Sequence, residues 1–241
     1  MKQPADKLRA WLLHSRPFRE TSLLLDFFSA ERGRFSAVAR GVRSARGNRR
    51  ALLQPFIPLS VSVVGRTELV TLKEIEAAGP ALPLAGEALF SALYVNELLV
   101  RLLSGHEAEP YLFQLYETTL GGLLDSEREV SLRLFELQLL DSLGYGVDLS
   151  VEAEHGAALD PELRYYLQPQ AGLVRWHSGD EMAGSLEAPL FMGGDLLAIA
   201  LRDFSLPSTR RVAKLLLRQW LGHHLGGKPL KSRELFGGPR R

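Results

Sequence analysis

The spacing of apolar residues changes period near residue 80, and this limits the chain to a β unit followed by a helical one. Over 8–76 apolar side chains recur in short alternating runs. Beyond 77–86 (AAGPALPLAG, with two prolines and two glycines) they recur every three to four residues. Five strands are expected at 8–14, 22–29, 34–40, 57–64 and 69–75. The third sets Phe35, Ala37 and Ala39 against Arg34, Ser36 and Arg40, with Val38 breaking the polar side; in the fourth, Val61 and Val63 alternate with Ser60 and Ser62. Turn signals fall at Arg16-Pro17, Glu31-Arg32-Gly33, the arginine-rich stretch 40–50, and Gly65-Arg66-Thr67. Five short strands suit a small closed barrel. An OB-fold leads because its strand count matches and its loops hold single-stranded nucleic acid. An SH3-like barrel shares the signature.

Past the break, helices are expected over 87–104 (Leu89, Ala92, Leu93, Asn96 and Leu99 in step, Gly105 as the stop) and over 111–124 behind Pro110. A third, over 129–143, carries Leu132, Phe135, Leu139 and Leu143 in one stripe and ends at Gly144-Tyr145-Gly146. Within 147–189, Asp160-Pro161 and Pro169-Gln170 mark turns, and 165–167 with 173–176 would pair as a hairpin. A short helix follows at 195–202. Ser208 is placed as N-cap of a last helix running to about Leu225, ended by Gly226-Gly227. The expected class is α+β: a five-stranded OB-fold barrel for nucleic acid in 1–80, then a mainly helical domain in 81–241 with a basic C-terminal segment.

Charge is sorted along the chain although the net formal charge is +1. Residues 32–67 carry eight arginines (Arg32, Arg34, Arg40, Arg43, Arg46, Arg49, Arg50 and Arg66) and no Asp, Glu or Lys. Residues 68–203 hold 23 acidic against seven basic side chains, and 204–233 hold seven basic and none acidic. Such sorting suits a polyanionic partner. The stretch 40–50 has no apolar periodicity and reads as a flexible Gly- and Ser-containing loop between strands three and four. On the last helix Arg211, Lys214 and Arg218, beside Arg210, share a face, while Val212, Leu215, Leu216 and Leu217 are assigned to the buried side. Lys228, Lys231 and Arg233 continue the basic run. A basic loop or helix face taken alone fits a merely solvated surface equally well. Phe27, Phe28, Phe35 and Phe56 lie in or beside the barrel; most belong to its core, and one or two at most would face a groove for base stacking.

Several function classes lack their chemistry. With no cysteine there is no disulfide, thiolate nucleophile or Cys-ligated zinc. The run from Gly222 to Lys228 resembles a phosphate-binding loop, but Pro229 stands where a magnesium-holding Ser or Thr belongs, and a helix precedes it. His14-Ser15 and His223-His224 have no nucleophile motif around them, and His106, Glu107 and Glu109 read as a polar loop. No apolar run is long enough to span a bilayer, and the first residues lack a signal-peptide core. A cytoplasmic protein without cofactor is expected.

His14-Ser15-Arg16-Pro17 and 20–26 (ETSLLLD) resemble the opening of the RecO family of recombination mediators. So do 39–44 (ARGVRS), 53–56 (LQPF), 94–98 (YVNEL), 132–136 (LRLFE), 143–146 (LGYG) and 227–235 (GKPLKSREL), in the family's order. The resemblance implies an N-terminal OB-fold, a helical domain and a non-enzymatic role. That role is binding single- and double-stranded DNA, annealing complementary strands, and helping RecA displace single-strand-binding protein, with RecR as a further partner. Some members carry a four-cysteine zinc site; this chain has no cysteine, so zinc is not expected. The acidic, apolar-ended tail of single-strand-binding protein needs a cation beside an apolar pocket, and Arg133, next to Leu132, Leu134 and Phe135, is the candidate; the plainer reading is an exposed pair with Glu129 or Glu136. The competing class is a protein-interaction adaptor in which the helical domain recruits partners and DNA contact is incidental.

Overall fold

The computed structural model describes residues 7–43, 48–65, 67–105, 107–178 and 189–237. They form two compact units: one runs to Ser126 and takes in the segment from Leu230 onward, the other is Glu127–Pro229.

In the first unit, β1 (Lys7–Phe18), β2 (Ser22–Ser29), β3 (Gly33–Ala39), β4 (Leu59–Val64) and β5 (Leu69–Ala77) close into a barrel of order β1-β2-β3-β5-β4. Only β3 and β5 run parallel, the Greek-key closure of an OB-type barrel. Leu12, Leu25, Phe27, Phe35, Ala37, Leu59 and Val61 fill the interior. Phe28 points the other way, 5.4 Å from Phe113 and 5.9 Å from Tyr116 of the helix over Pro110–Gly122. Strand β2 is thus covered on both faces, which is why 22–29 reads as a nearly unbroken apolar run. Arg16-Pro17 is not a turn: β1 continues through Pro17 opposite Leu23 to Phe18. The proline fits because β1 pairs with β4 only over Lys7–Ala10, leaving its far end one-sided. Gly33 holds φ +65°, and a Cβ there would lie 1.8 Å from the carbonyl oxygen of Glu107, so no larger residue fits this turn.

The stretch after β3 is not all loop. Asn48–Ala51 makes one helical turn, α1, before β4. Then α2 (Gly86–Leu102) and α3 (Pro110–Gly122) lie on the barrel within the same unit. Asn96, 2 % exposed, joins them: its Nδ2 donates to the Leu13 carbonyl (3.0 Å) and its Oδ1 accepts from the Tyr116 hydroxyl (2.8 Å). Asn96→Ala strands two buried groups and is expected to cost on the order of 2–4 kcal/mol, read as a shift in urea midpoint. Tyr116→Phe, which removes one bond, should cost about 1 kcal/mol. A loss below that for Asn96→Ala would mean water replaces the amide.

The second unit is built on α4 (Arg128–Ser142), a small sheet of β6 (Arg164–Gln168), β7 (Gly172–Arg175) and β8 (Phe191–Met192), then α5 (Gly193–Ala200) and α6 (Pro207–His224). The hairpin expected from 165–167 and 173–176 forms as β6 and β7, in register Tyr165 opposite Arg175. Helix α6 starts at Pro207 with Leu206 as cap residue, so Ser208 lies inside the first turn and caps nothing. Leu216, Leu217, Trp220 and Leu221 face inward, but Leu215 is 51 % exposed, on the side of the cations rather than the core.

Candidate nucleic-acid interface

The barrel sorts the arginines of 32–50 into two kinds. Arg40, Arg43 and Arg50 face solvent. Arg43 also ties the loop to the β1–β2 turn: its Nη1 donates to the carbonyls of Arg19 (3.2 Å) and Glu20 (3.0 Å), and its backbone N–H to that of Thr21 (3.0 Å). The others are drawn into the fold. Arg49 Nη2 donates to the carbonyls of Leu72 (3.0 Å) and Lys73 (3.2 Å) on β5, fixing α1. Arg34 Nε donates to the Leu103 carbonyl (2.9 Å) at the end of α2, with Nη1 3.7 Å from Asp26. Arg32, half-buried, lies 5.3 Å over the Phe35 ring. Arg46 and Arg66 fall outside the described residues.

Two exposed arginines were absent from the sequence candidates. Arg16 and Arg19 stand at the closed end of the β1–β2 hairpin, Arg19 at φ +52° and 5.3 Å over the half-buried Phe18 ring. Glu20 and Asp26 nearby balance them in the sequence, so only the hairpin geometry sets them apart. The stacking candidates fare otherwise: Phe27, Phe28, Phe35 and Phe56 are all 5 % exposed or less, and none offers a face to a base.

Next to these cations His14, Asp26 and Ser36 meet across three strands, in residue type like a hydrolytic triad but not in order. Ser36 Oγ donates to Asp26 (2.6 Å) rather than to the imidazole, and His14 Nδ1 is 3.8 Å from the same carboxylate. Burial would push the Asp26 carboxyl up; His14, Ser36 and Arg34 outweigh it and hold it below the usual value. Among the described residues no group of three or more His, Asp and Glu is arranged to hold a metal. His106 lies outside them.

The C-terminal basic run is anchored. Glu97 on α2 accepts from the backbone N–H groups of Lys231 (3.0 Å) and Ser232 (2.8 Å) and from the Ser232 hydroxyl (2.6 Å), holding the 3-10 helix Lys231–Gly237. Arg233 sits 5.8 Å over Tyr94; the side chains of Lys228 and Lys231 are exposed. Burial raises the Glu97 carboxyl, but the bonds from Ser232 and Lys231 and the nearby Arg101 bring it below its ordinary value. A depressed folded-state value stabilises above the unfolded-state pKa and is lost as pH falls through the folded one. Protection of the Lys231 and Ser232 amides against exchange should therefore fall below about pH 4.5, and Glu97→Gln should remove that pH dependence. Unchanged protection at pH 3 in the wild type would show that the carboxylate does not hold the segment.

In the second unit Arg211, Lys214 and Arg218 share the exposed face of α6, as their spacing predicts, and none has an acidic partner among the described residues. Arg210 is occupied: its Nε donates to the Phe204 carbonyl (2.6 Å). Arg133 is neither an exposed ion pair nor a cation at an open rim. It is 7 % exposed, its Nη2 is 3.1 Å from Glu136 Oε1, and Glu136 is itself 1 % exposed.

A closed OB-type barrel with solvent-facing arginines on its connecting loops belongs to a class of folds whose loops hold single-stranded nucleic acid. Family models for the N-terminal and C-terminal regions of recombination protein O match residues 1–81 and 84–234. A DNA repair protein RecO of Pseudomonas paraeruginosa is 48 % identical over 228 residues, covering 94 % of this chain and 92 % of that protein. One from Methylococcus capsulatus is 47 % identical over 94 % and 91 %, and one from Stutzerimonas stutzeri 45 % identical over 98 % and 93 %. The chain belongs to the RecO family of DNA repair proteins. Among the described residues no helix is long and apolar enough to cross a membrane.

Proposed function

We propose that this protein is a non-enzymatic recombination mediator acting in the cytoplasm. It binds single- and double-stranded DNA, anneals complementary strands, and helps RecA displace single-strand-binding protein, with RecR as a further partner. The observation that carries this reading is the set of solvent-facing arginines, Arg40, Arg43 and Arg50, joined by Arg16 and Arg19, on a small β-barrel. Annealing requires two strands held close with their repulsion screened and most bases free. Arginine–phosphate contacts supply that without reading sequence. We assign this role to residues 1–80 and give 81–241 the partner contacts, with further phosphate contacts on Arg211, Lys214 and Arg218, on Lys231 and Arg233, and on Lys228. Arg32, Arg34, Arg46 and Arg49 of the same stretch are further candidates, of which Arg34 and Arg49 serve the fold before they serve DNA, because both are partly buried against the carbonyls of Leu103 and of β5. A contact between Arg133 and the tail of single-strand-binding protein would require the Arg133–Glu136 pair to open.

The test is strand annealing with purified protein, without metal or nucleotide, followed by fluorescence of labelled complementary oligonucleotides. Acceleration over the spontaneous rate that fades with added salt is the expected result. No acceleration, together with binding of protein partners only, would favour the adaptor.

A further inference from the structure

One cleft in the first unit lies beside the solvent-facing arginines and has the lining of a base-binding seat. It encloses about 520 Å³ between the β1–β2 hairpin and the connection from β3 to β4, walled by Ser15, Leu23, Arg50, Ala51, Leu53 and Gln54. That volume falls within the range of roughly 300–1,000 Å³ of small-ligand clefts. The floor is apolar: Leu53 is 5 % exposed and belongs to the barrel core, and Leu23 packs against that core. The rim is polar, and the side chains of Ser15, Arg50 and Gln54 have no hydrogen-bond partner among the described residues. Three unengaged polar groups around an aliphatic floor leave a ligand something flat to cover and something to bond.

The walls are held in place from two sides. Arg43 pins the loop after β3 to the turn that precedes Leu23. The end of the connection is fixed two residues beyond Gln54, where Phe56 holds φ +66° while its side chain is 5 % exposed and its carbonyl accepts from the Leu82 N–H (2.9 Å). A bulky non-glycine residue in that region costs free energy and persists only where its surroundings impose it.

We infer that this cleft seats one unpaired nucleobase of a bound DNA strand. The base lies against the half-buried Leu23, with Leu53 buried beneath it, its edge meets the Ser15 hydroxyl and the Gln54 amide, and the adjoining phosphate meets Arg50. A hydroxyl and an amide each donate and accept, so the seat takes any base. It also supplies what the arginines lack. Phosphate contacts alone hold a duplex as readily as a single strand, whereas a base paired in a duplex cannot enter the cleft. Holding one base fixes the strand while its neighbours stay free to pair. The inference rests on the proposed DNA binding and adds a site for single strands.

The test uses the full chain, a thymidine oligomer carrying one 2-aminopurine, and a duplex of equal length. Ala51→Trp fills the cleft from an exposed position. It should lower single-strand affinity roughly tenfold, abolish the 2-aminopurine fluorescence change, and leave duplex affinity as it was. Ser15→Ala with Gln54→Ala, a milder pair, should lower single-strand affinity about threefold in the same selective way, and it decides the matter if the tryptophan variant melts early. Wild-type single-strand affinity and fluorescence in both variants, with a normal salt dependence, would overturn the base seat and leave the arginine surface standing. Equal loss on both DNAs would also overturn it, since the variants would then be disturbing the phosphate surface. A wild-type protein that binds neither DNA would remove the proposed function and this inference together.

Discussion

Arg133→Met is expected to lower the unfolding free energy by about 3–5 kcal/mol, read from urea or guanidinium transitions, and to leave DNA affinity unchanged. The two partners are 7 % and 1 % exposed, 3.1 Å apart, and one turn apart on α4. Removing the guanidinium takes away the cation 3.1 Å from the buried Glu136 carboxylate, and the loss of that counter-charge at a desolvated site dominates the cost. Adding Glu136→Leu to Arg133→Met should restore much of the stability, because an apolar pair of similar size needs no desolvation. A single-variant loss below about 1 kcal/mol, the scale of an exposed pair, would show that solvent or another partner stabilises the Glu136 carboxylate without Arg133. The outcome also bears on partner binding. A tail peptide that binds Arg133→Ala poorly says nothing about contact until the variant's stability has been measured beside it.

The burial of Arg133 was legible in part. Leu137 and Leu140, four and seven residues on, share its face of α4, so the apolar stripe is wider than Leu132, Phe135 and Leu139 alone suggest. Where period and burial agree, the sequence reading matches the molecule closely. The strand expected at 22–29 is β2, and the helix expected behind Pro110 begins at Pro110. What period does not encode stayed hidden. Helix α1 is four residues with no apolar repeat, fixed by bonds from Arg49 to β5 about 23 residues away. Closure of the barrel through the parallel pair β3–β5 depends on strands far apart in the chain. Leu215 looks like core by type but turns outward with Arg211, Lys214 and Arg218. Which arginines face solvent and which are drawn partly into the fold cannot be read from composition, because Arg34 and Arg40 differ only in what the fold brings to them.

That distinction sets the second large effect. Wild-type affinity for single strands should fall with salt at a log–log slope of about −3 to −4, the value for roughly five phosphate contacts at about 0.7 each. Replacing Arg40, Arg43 and Arg50 together by Gln should make the slope shallower by about 2 and cost one to two orders of magnitude in affinity at low salt. Stability should change little, since all three side chains face solvent, and Arg43 gives up only exposed bonds. Arg49→Gln provides the contrast within the same stretch. Its guanidinium holds two β5 carbonyls, so its main effect should be a loss of stability on the order of 1–3 kcal/mol, with the salt slope near the wild-type value. If the triple variant kept both slope and affinity, the phosphate surface would have to be sought away from the barrel, on Arg211, Lys214 and Arg218. If Arg49→Gln flattened the slope while melting normally, its bonds to β5 would be giving way to phosphate whenever DNA is bound.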